Sequence, residues 1–469
     1  MTDLAELRAP AAGQRVVRLP ELDNVPLTAP VAAIVDHPHF QRLRRVRQLG
    51  PTWLVYPGAT HTRFEHALGV YGTAIRYLRS LLAHAHVAAS LSEEDVKTCL
   101  AAALLHDLGH YPFAHSLEAL HRRGGDTPRH EDLARDIVFG RAPGLPTDEG
   151  TIGQLLERGL GVSAGRVSDL VTQPKQALAP TDRLLQSVIS SAIDADKMDY
   201  LWRDSVHLGV PYGRNYDRDR LLSALTVTDA GDALAVTDKG VVSAEIFLFC
   251  RYTMFSEVYW HHTVRSVSAM LEAAFADIVG GAELDMADLT SRLLAVGDDE
   301  LLRTFAAEAT PGGAGARLLH GLTGDRRRLY KRLGTWSRVD PTDDRRETYE
   351  RLYALDADGA ARLIALLSER LGGRGRPLPP GALLLDVPPR DKDTIPDVAV
   401  HHVASRRWTT LAASSRIVHG IAHDFVKVVK KIRLFVHPDH AALAADVPRV
   451  EALVAELVLD LSPAGGAPP

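Results

Sequence analysis

Cysteine is nearly absent, with only Cys99 and Cys250 in 469 residues. Far apart and in helical contexts, they read as small buried hydrophobes, which excludes a disulfide-framed secreted scaffold. No uncharged apolar run approaches the roughly 18 residues that a membrane helix needs. The opening Met-Thr-Asp-Leu-Ala-Glu has neither the basic nor the apolar region of a signal peptide, so a cytoplasmic protein with no membrane partner is expected. Lysine is scarce too, nine of the 54 basic residues, the remainder being arginine. A formal charge of -5 argues against a surface built for nucleic acid, while leaving room for a local basic pocket. Hydrophobic residues at 46% and charged residues at 24% match ordinary globular usage and exclude a disordered or collagenous chain.

What is present is mostly helix. Apolar residues recur at three and four spacing in 31–48, 64–82, 94–108, 182–206 and 241–279. Alternation in 225–237 around an Asp-Ala-Gly-Asp turn predicts one short hairpin, read as a surface appendage. The breaker-rich stretch Gly372–Gly381 marks a boundary, after which strand-like runs at 383–387, 398–403 and 432–436 surround a helix at about 414–430. The fold class is therefore mainly α, a helical core with a short β-hairpin and a small C-terminal α+β lobe. Residues 1–371 form the core with its N-terminal segment, 372–461 the lobe and 462–469 a disordered tail. The basic runs 326–332 and 426–433 read as a solvated helix face and as ordinary surface charge.

Histidine carries the chemistry. Nine of 21 fall between His61 and His130. Among them an apolar helix delivers the adjacent pair His106-Asp107 into a turn marked by Gly109 and Pro112. Neighbouring side chains on a helix diverge by about 100°, so such a pair can meet a metal from two sides. His66, Asp194 and Asp196 are further candidates, and two imidazoles with two carboxylates suit iron, manganese, zinc or nickel.

Together, Arg63-Phe-Glu-His66, His106-Asp107-Leu-Gly-His-Tyr-Pro-Phe-Ala-His115, His130-Glu131 and Asp194-Ala-Asp-Lys-Met-Asp-Tyr-Leu-Trp-Arg-Asp204 resemble the HD-domain phosphohydrolases. Within them the chain looks most like the deoxynucleoside triphosphate triphosphohydrolase branch. The resemblance covers about residues 30–280, and more loosely Ile395-Pro-Asp-Val and Ile432-Arg-Leu-Phe-Val. It implies one divalent metal ion held by His66, His106, Asp107 and Asp196, magnesium joining the metals named above, with additional magnesium on the triphosphate. It implies that His110, His115 and His130 line the phosphate site, His115 as proton donor and Glu118 as its carboxylate partner. Arg63, Lys197 and Arg251 would surround the triphosphate. Gln48, Tyr200 and Asp204 would hold the sugar 3'-hydroxyl, and Leu49 and Tyr259 would crowd its 2' carbon. An extra hydroxyl would then lie unpaired, favouring deoxyribose.

The implied reaction cleaves a deoxynucleoside triphosphate to deoxynucleoside and inorganic triphosphate, water attacking the α-phosphorus. The resemblance also implies a nucleotide activator, gripped by Asp36, Gln41 and Arg44, and a homo-oligomer of dimers, tetramers or hexamers. Phe255 stands where relatives commonly place a histidine and His262 where they carry a lysine, which leaves substrate choice open. The rivals are a nucleotidase or phosphodiesterase acting on monophosphates or cyclic nucleotides, and a nucleotide-sensing regulator with little turnover.

Overall fold

The computed structural model describes residues 4–8, 14–20, 24–121, 129–144, 150–280, 285–373, 375–389 and 397–461. The expected tail 462–469 and the start of the Ile395-Pro-Asp-Val run lie outside them. The body is helical, as the periodicity predicts. Helix α1 (Arg63–Leu82) runs through its centre with most of its side chains buried, started by Thr62, whose hydroxyl accepts the Glu65 N–H. Helix α2 (Glu93–Leu105) opens on a Ser92/Asp95 capping box, two orphan N–H groups satisfied reciprocally. Helices α3 (Ala114–His121), α4 (His130–Val138) and α5 (Ala195–Leu208) complete the part of the body that carries the motifs.

Three of the long helical runs are broken, 241–279 at Trp260 and His261 between two helices, and the other two for evident local reasons. Residues 31–48 stop at Asp36, before Pro38 opens a new short helix. In 182–206 a helix ends at Ile189 and α5 restarts behind Asp194, whose carboxylate accepts the Lys197 N–H as an N-cap.

Beyond α5 come strands β1 (Leu225–Val227) and β2 (Leu234–Thr237), then α6 (Val241–Met254) and α7 (His262–Gly280). Strand β3 (Lys331–Trp336), helices α8 (Asp343–Ala354) and α9 (Ala357–Leu371), and strand β4 (Leu383–Asp386) follow. Then come strands β5 (Ala399–His402) and β6 (Arg407–Thr410), helix α10 (Arg416–Val429), strand β7 (Ile432–Val436) and helix α11 (Val447–Leu461).

The hairpin is no appendage. Strand β1 is wholly buried, and β2 pairs in parallel with β5, Ala235 opposite Ala399, giving a four-stranded sheet ordered β1-β2-β5-β6. A second sheet is ordered β3-β7-β4. Its Leu333, Trp336 and Leu434 join Tyr349, Leu352, Leu363, Leu367 and Val454 in a core separate from that of the body. The stretch beginning at Gly372 links α9 to β4, both of which feed this second core.

The basic runs also differ from expectation. Residues 327–330 are irregular chain leading into β3, with Leu329 and Tyr330 buried, so no helix face exists there. In the other run Lys430 and Arg433 are buried, not surface charge. Among the described residues no helix is long and apolar enough to cross a membrane.

Candidate active site

The site forms where the end of α2, the start of α1 and the start of α5 converge. His106 is the C-cap of α2, its Nδ1 2.9 Å from the Ala103 carbonyl, so its Nε2 turns inward. His66, one turn into α1, places Nε2 3.1 Å from Asp196 Oδ1. The same oxygen is 3.7 Å from His106 Nε2, and His66, His106 and Asp196 form a group able to hold a metal ion. Asp107 faces both rings, 3.7 Å from His66 Nε2 and 3.5 Å from His106 Nε2, while Arg63 donates to its Oδ2 at 2.6 Å.

A cation fits these side chains. His106 Nε2 is buried with no hydrogen-bond partner, an uncompensated polar atom directed at carboxylates. Burial opposes charge on His66, yet the carboxylates of Asp196 and Asp199 and the charge of Asp107 raise its pKa to about 10. The cluster thus draws positive charge inward, which a divalent cation would supply. Asp194, the other candidate in its register, serves elsewhere: it caps α5 and pairs with Lys197 Nζ at 2.7 Å.

A second cluster adjoins the first. His110 Nδ1 lies 3.2 Å from Asp107 Oδ1, and the His110 and His130 rings are 3.9 Å apart. Gly109 allows this contact, since a Cβ there would overlap the His130 carbonyl. Burial and the Arg63 charge push the His110 pKa well down, which disfavours the charged ring, although Asp107 opposes this. Glu118 accepts from both His130 Nδ1, at 2.7 Å, and the His130 N–H. Its distance to His115 Nδ1 is 3.7 Å, so Glu118 holds His130 more closely than the His115 it was expected to partner. Burial would raise the Glu118 pKa, but the bonds from His115 and His130 keep it well below the carboxylate range. His115 is mostly exposed, with Nε2 3.4 Å from Arg63 Nη2. Phe113, just before α3, is held at φ 55°, a strained position for a bulky residue, and its ring is buried.

The expected sugar and phosphate residues line the adjoining wall. Asp204 accepts from Tyr259 at 2.6 Å and is paired with His61 at 2.7 Å. Tyr200 is 6.3 Å from the Tyr259 ring. Gln48 Oε1 is buried without a partner, and its neighbour Leu49 is half-buried. Arg251 keeps Nε and Nη1 buried and unpaired, its guanidinium 5.5 Å from the rings of both Phe255 and Phe425. Asp36, Gln41 and Arg44 lie apart from this wall: Asp36 is bound by Arg15, Gln41 by the Val35 carbonyl, and Arg44 by Gln41.

Sequence reasoning missed several groups. Arg42 is fully enclosed and donates to the carbonyls of Leu108 and His110, clamping the turn that carries the motif. Phe425 has no neighbouring motif to mark it, and His61, two residues before Arg63-Phe-Glu-His66, is legible only as one of the clustered histidines. Arg203 follows Asp199 by one helical turn, a carboxylate-arginine spacing that is legible but common.

The chain matches the HD domain family over residues 63–152 and the HD associated region family over residues 216–447. An uncharacterized protein of Bacillus subtilis is 37% identical over 234 residues, covering 50% of this chain and 48% of its own length. A deoxynucleoside triphosphate triphosphohydrolase of Homo sapiens is 30% identical over 286 residues, covering 56% of this chain and 44% of its own. The chain therefore spans about half the length of these curated relatives. Among solved structures, a hypothetical protein from Aquifex aeolicus superposes with TM-score 0.67 at 25% identity, over 93% of this chain and 100% of that one. A phosphohydrolase from Bacteroides thetaiotaomicron shares the fold, with TM-score 0.63 at 22% identity over 90% and 99%. With one family spanning the helices that carry His66, His106 and His130 and the other spanning those that carry Arg251 and Phe425, the chain belongs to the HD-domain phosphohydrolase superfamily.

Proposed function

We propose that this phosphohydrolase cleaves deoxynucleoside triphosphates to deoxynucleoside and inorganic triphosphate. The observation that carries the reading is Arg251, a half-buried residue with two guanidinium nitrogens, Nε and Nη1, buried and unpaired. It lies near enough to Lys197 and Tyr200 for its charge to act on both. Buried N–H donors on a cation are costly to leave without an acceptor, and a polyphosphate supplies one. The likeness to a relative named as a deoxynucleoside triphosphate triphosphohydrolase supports the same substrate.

In this reading His66, His106, Asp107 and Asp196 hold a divalent cation, which when bound draws charge from a phosphoryl oxygen and lowers the pKa of water toward 7. Arg63 and Lys197 complete the cationic lining. His115, exposed beside Arg63, delivers a proton to the leaving 5'-oxygen, while Glu118 and His130 steady the wall behind it. Asp204 and Tyr259 receive the sugar, and the aromatic face of Tyr259 crowds an added 2'-hydroxyl. An activating nucleotide is assigned to Asp36, Gln41 and Arg44, and assembly to a homo-oligomer; mass measured with and without nucleotide tests both.

A shorter phosphate chain is the second reading. It is favoured by one observation: Lys197 and Arg63 are already paired with Asp194 and Asp107, leaving Arg251 as the unpaired cation of the three. Product analysis by ion-exchange chromatography decides between them. The four deoxynucleoside triphosphates, singly and mixed, should yield deoxynucleoside and triphosphate with manganese, and nothing with chelator or in His106→Ala. Pyrophosphate plus monophosphate would refute the regiochemistry; release of phosphate from monophosphates alone would establish the second reading.

A further inference from the structure

Asp199 and Arg203 form an ion pair buried more deeply than any proposed metal ligand except His66, with side chains 1% and 2% exposed. A buried ion pair is weak support for stability on its own, so its position relative to the site matters more than its strength. One oxygen of Asp199 faces the site: Oδ2 lies 2.9 Å from His66 Nδ1. Both oxygens are also gripped by the Arg203 fork, Nε to Oδ2 at 2.9 Å and Nη2 to Oδ1 at 2.6 Å. The remaining arm of that fork, Nη1, donates to Glu65 at 2.7 Å, and His207 meets the same Glu65 oxygen at 2.9 Å. Glu65 immediately precedes His66 in α1. One turn further along, a Cβ at Gly69 would overlap both Arg203 and Asp199, so the α1 backbone lies this close to the pair only because glycine stands there.

We propose that Asp199 is a positioning residue for His66, accepting the Nδ1 proton and so committing the Nε2 lone pair to the cation, with Arg203 and Glu65 fixing Asp199 in turn. An imidazole binds a metal through a nitrogen that carries no proton, and the group bound to the other nitrogen selects which one that is. A carboxylate at Nδ1 selects Nε2, the nitrogen that faces Asp196 and Asp107. The Arg203 fork keeps Asp199 from rotating away or from joining the ligands itself. The proposal rests on His66 as a ligand and not on the choice of substrate.

The test is the affinity of the full chain for manganese, measured by chelator competition without nucleotide, in the parent and in Asp199→Asn. Melting temperatures in chelator and in manganese accompany it. The amide removes the charge and opposes one Arg203 donor, so manganese should bind about 10- to 100-fold more weakly. Nitrogen-15 spectra of labelled histidine, taken with diamagnetic zinc bound, should show the His66 Nδ1–H form dominant in the parent and diminished in the variant. A folded variant whose affinity stays within about twofold of the parent, even with a lowered melting temperature, would overturn the proposal and leave the pair a structural one. Should Asp199→Asn fail to fold, Glu65→Gln, which touches Arg203 but not His66, should weaken manganese binding several-fold, and unchanged affinity there overturns the proposal equally. A parent that binds no manganese would overturn the ligand reading of His66 itself, an outcome distinct from equal binding by parent and variant.

Discussion

His61 Nε2 lies 2.7 Å from Asp204 Oδ1 while the Tyr259 hydroxyl donates to Oδ2 at 2.6 Å, so both oxygens of one buried carboxylate are oriented by the protein. His61 is itself held flat against His207, ring centroids 4.3 Å apart. In the proposed sugar site the carboxylate would therefore be aimed before a substrate arrives. His61→Ala should raise KM for the nucleotide about tenfold, the size of one lost hydrogen bond of about 1.4 kcal/mol, with metal content unchanged. Steady-state kinetics check this, and an unaltered KM would remove Asp204 from the sugar site.

Asp194 and Asp196 are two residues apart and are expected to fail differently. Asp196→Asn should abolish stoichiometric metal binding, read by elemental analysis of the purified chain, as should His106→Ala. Asp194→Asn should keep the metal but lower stability by about 1 kcal/mol or more, because it weakens a helix cap and strips the charge from the partner of Lys197. Loss of metal in Asp194→Asn alone would shift the ligand assignment by two residues.

Proton delivery and phosphate binding should separate in the same way. His115→Ala is expected to lower kcat by about 10²- to 10⁴-fold while metal binding persists. Arg251→Ala should instead weaken nucleotide binding, measured by calorimetry with chelator present to prevent turnover. Equal binding in the variant would leave the Arg251 guanidinium without a role in the phosphate site.

Asp298 supplies a pH dependence from outside the proposed ligand set. Burial raises its pKa to about 6, only partly offset by the Arg47 N–H that its carboxylate accepts at 2.7 Å. The folded state then keeps a proton that the unfolded state loses above about 4. Stability from this group falls as pH rises from about 4 to about 6, by about 3 kcal/mol, and stays low above. Asp298→Asn, which still accepts from Arg47, should be more stable than the parent at pH 7.5 and close to it at pH 4. Urea unfolding at the two pH values measures the difference; a gap that does not depend on pH would remove the assignment.

What could be read from the sequence was what lies close together along it. The turn from Leu104 to His115 and the word from Asp194 to Asp204 each carry several functional groups within about three helical turns, so their spacing alone announces chemistry. The mainly helical class followed from periodicity in the same local way. The missing parts are held by distant contacts. Phe425 reaches Phe255, with ring centroids 5.2 Å apart, from a helix in another part of the chain, and no local pattern links them. The 225–237 hairpin was legible as a hairpin because alternation is local. Its burial was not, because its parallel neighbour β5 belongs to the far end of the sequence. The run 326–332 misled because charge density reports neither a strand nor the buried Leu329 and Tyr330 beside it.

The parallel pairing of β2 with β5 also sets an order of assembly. Ala235 and Ala399 are 164 residues apart (399 minus 235). At roughly 5 to 20 residues per second, a ribosome takes on the order of 10 to 30 s to make the chain between them. For that interval the nascent hairpin presents an unpaired apolar edge, the kind of template on which chains aggregate. The C-terminal segment that finally covers this edge also brings Phe425 beside Arg251. Closure of the exposed edge and completion of the catalytic wall are thus tied to the same late stage of folding, and a nascent chain released before it would be both sticky and inactive.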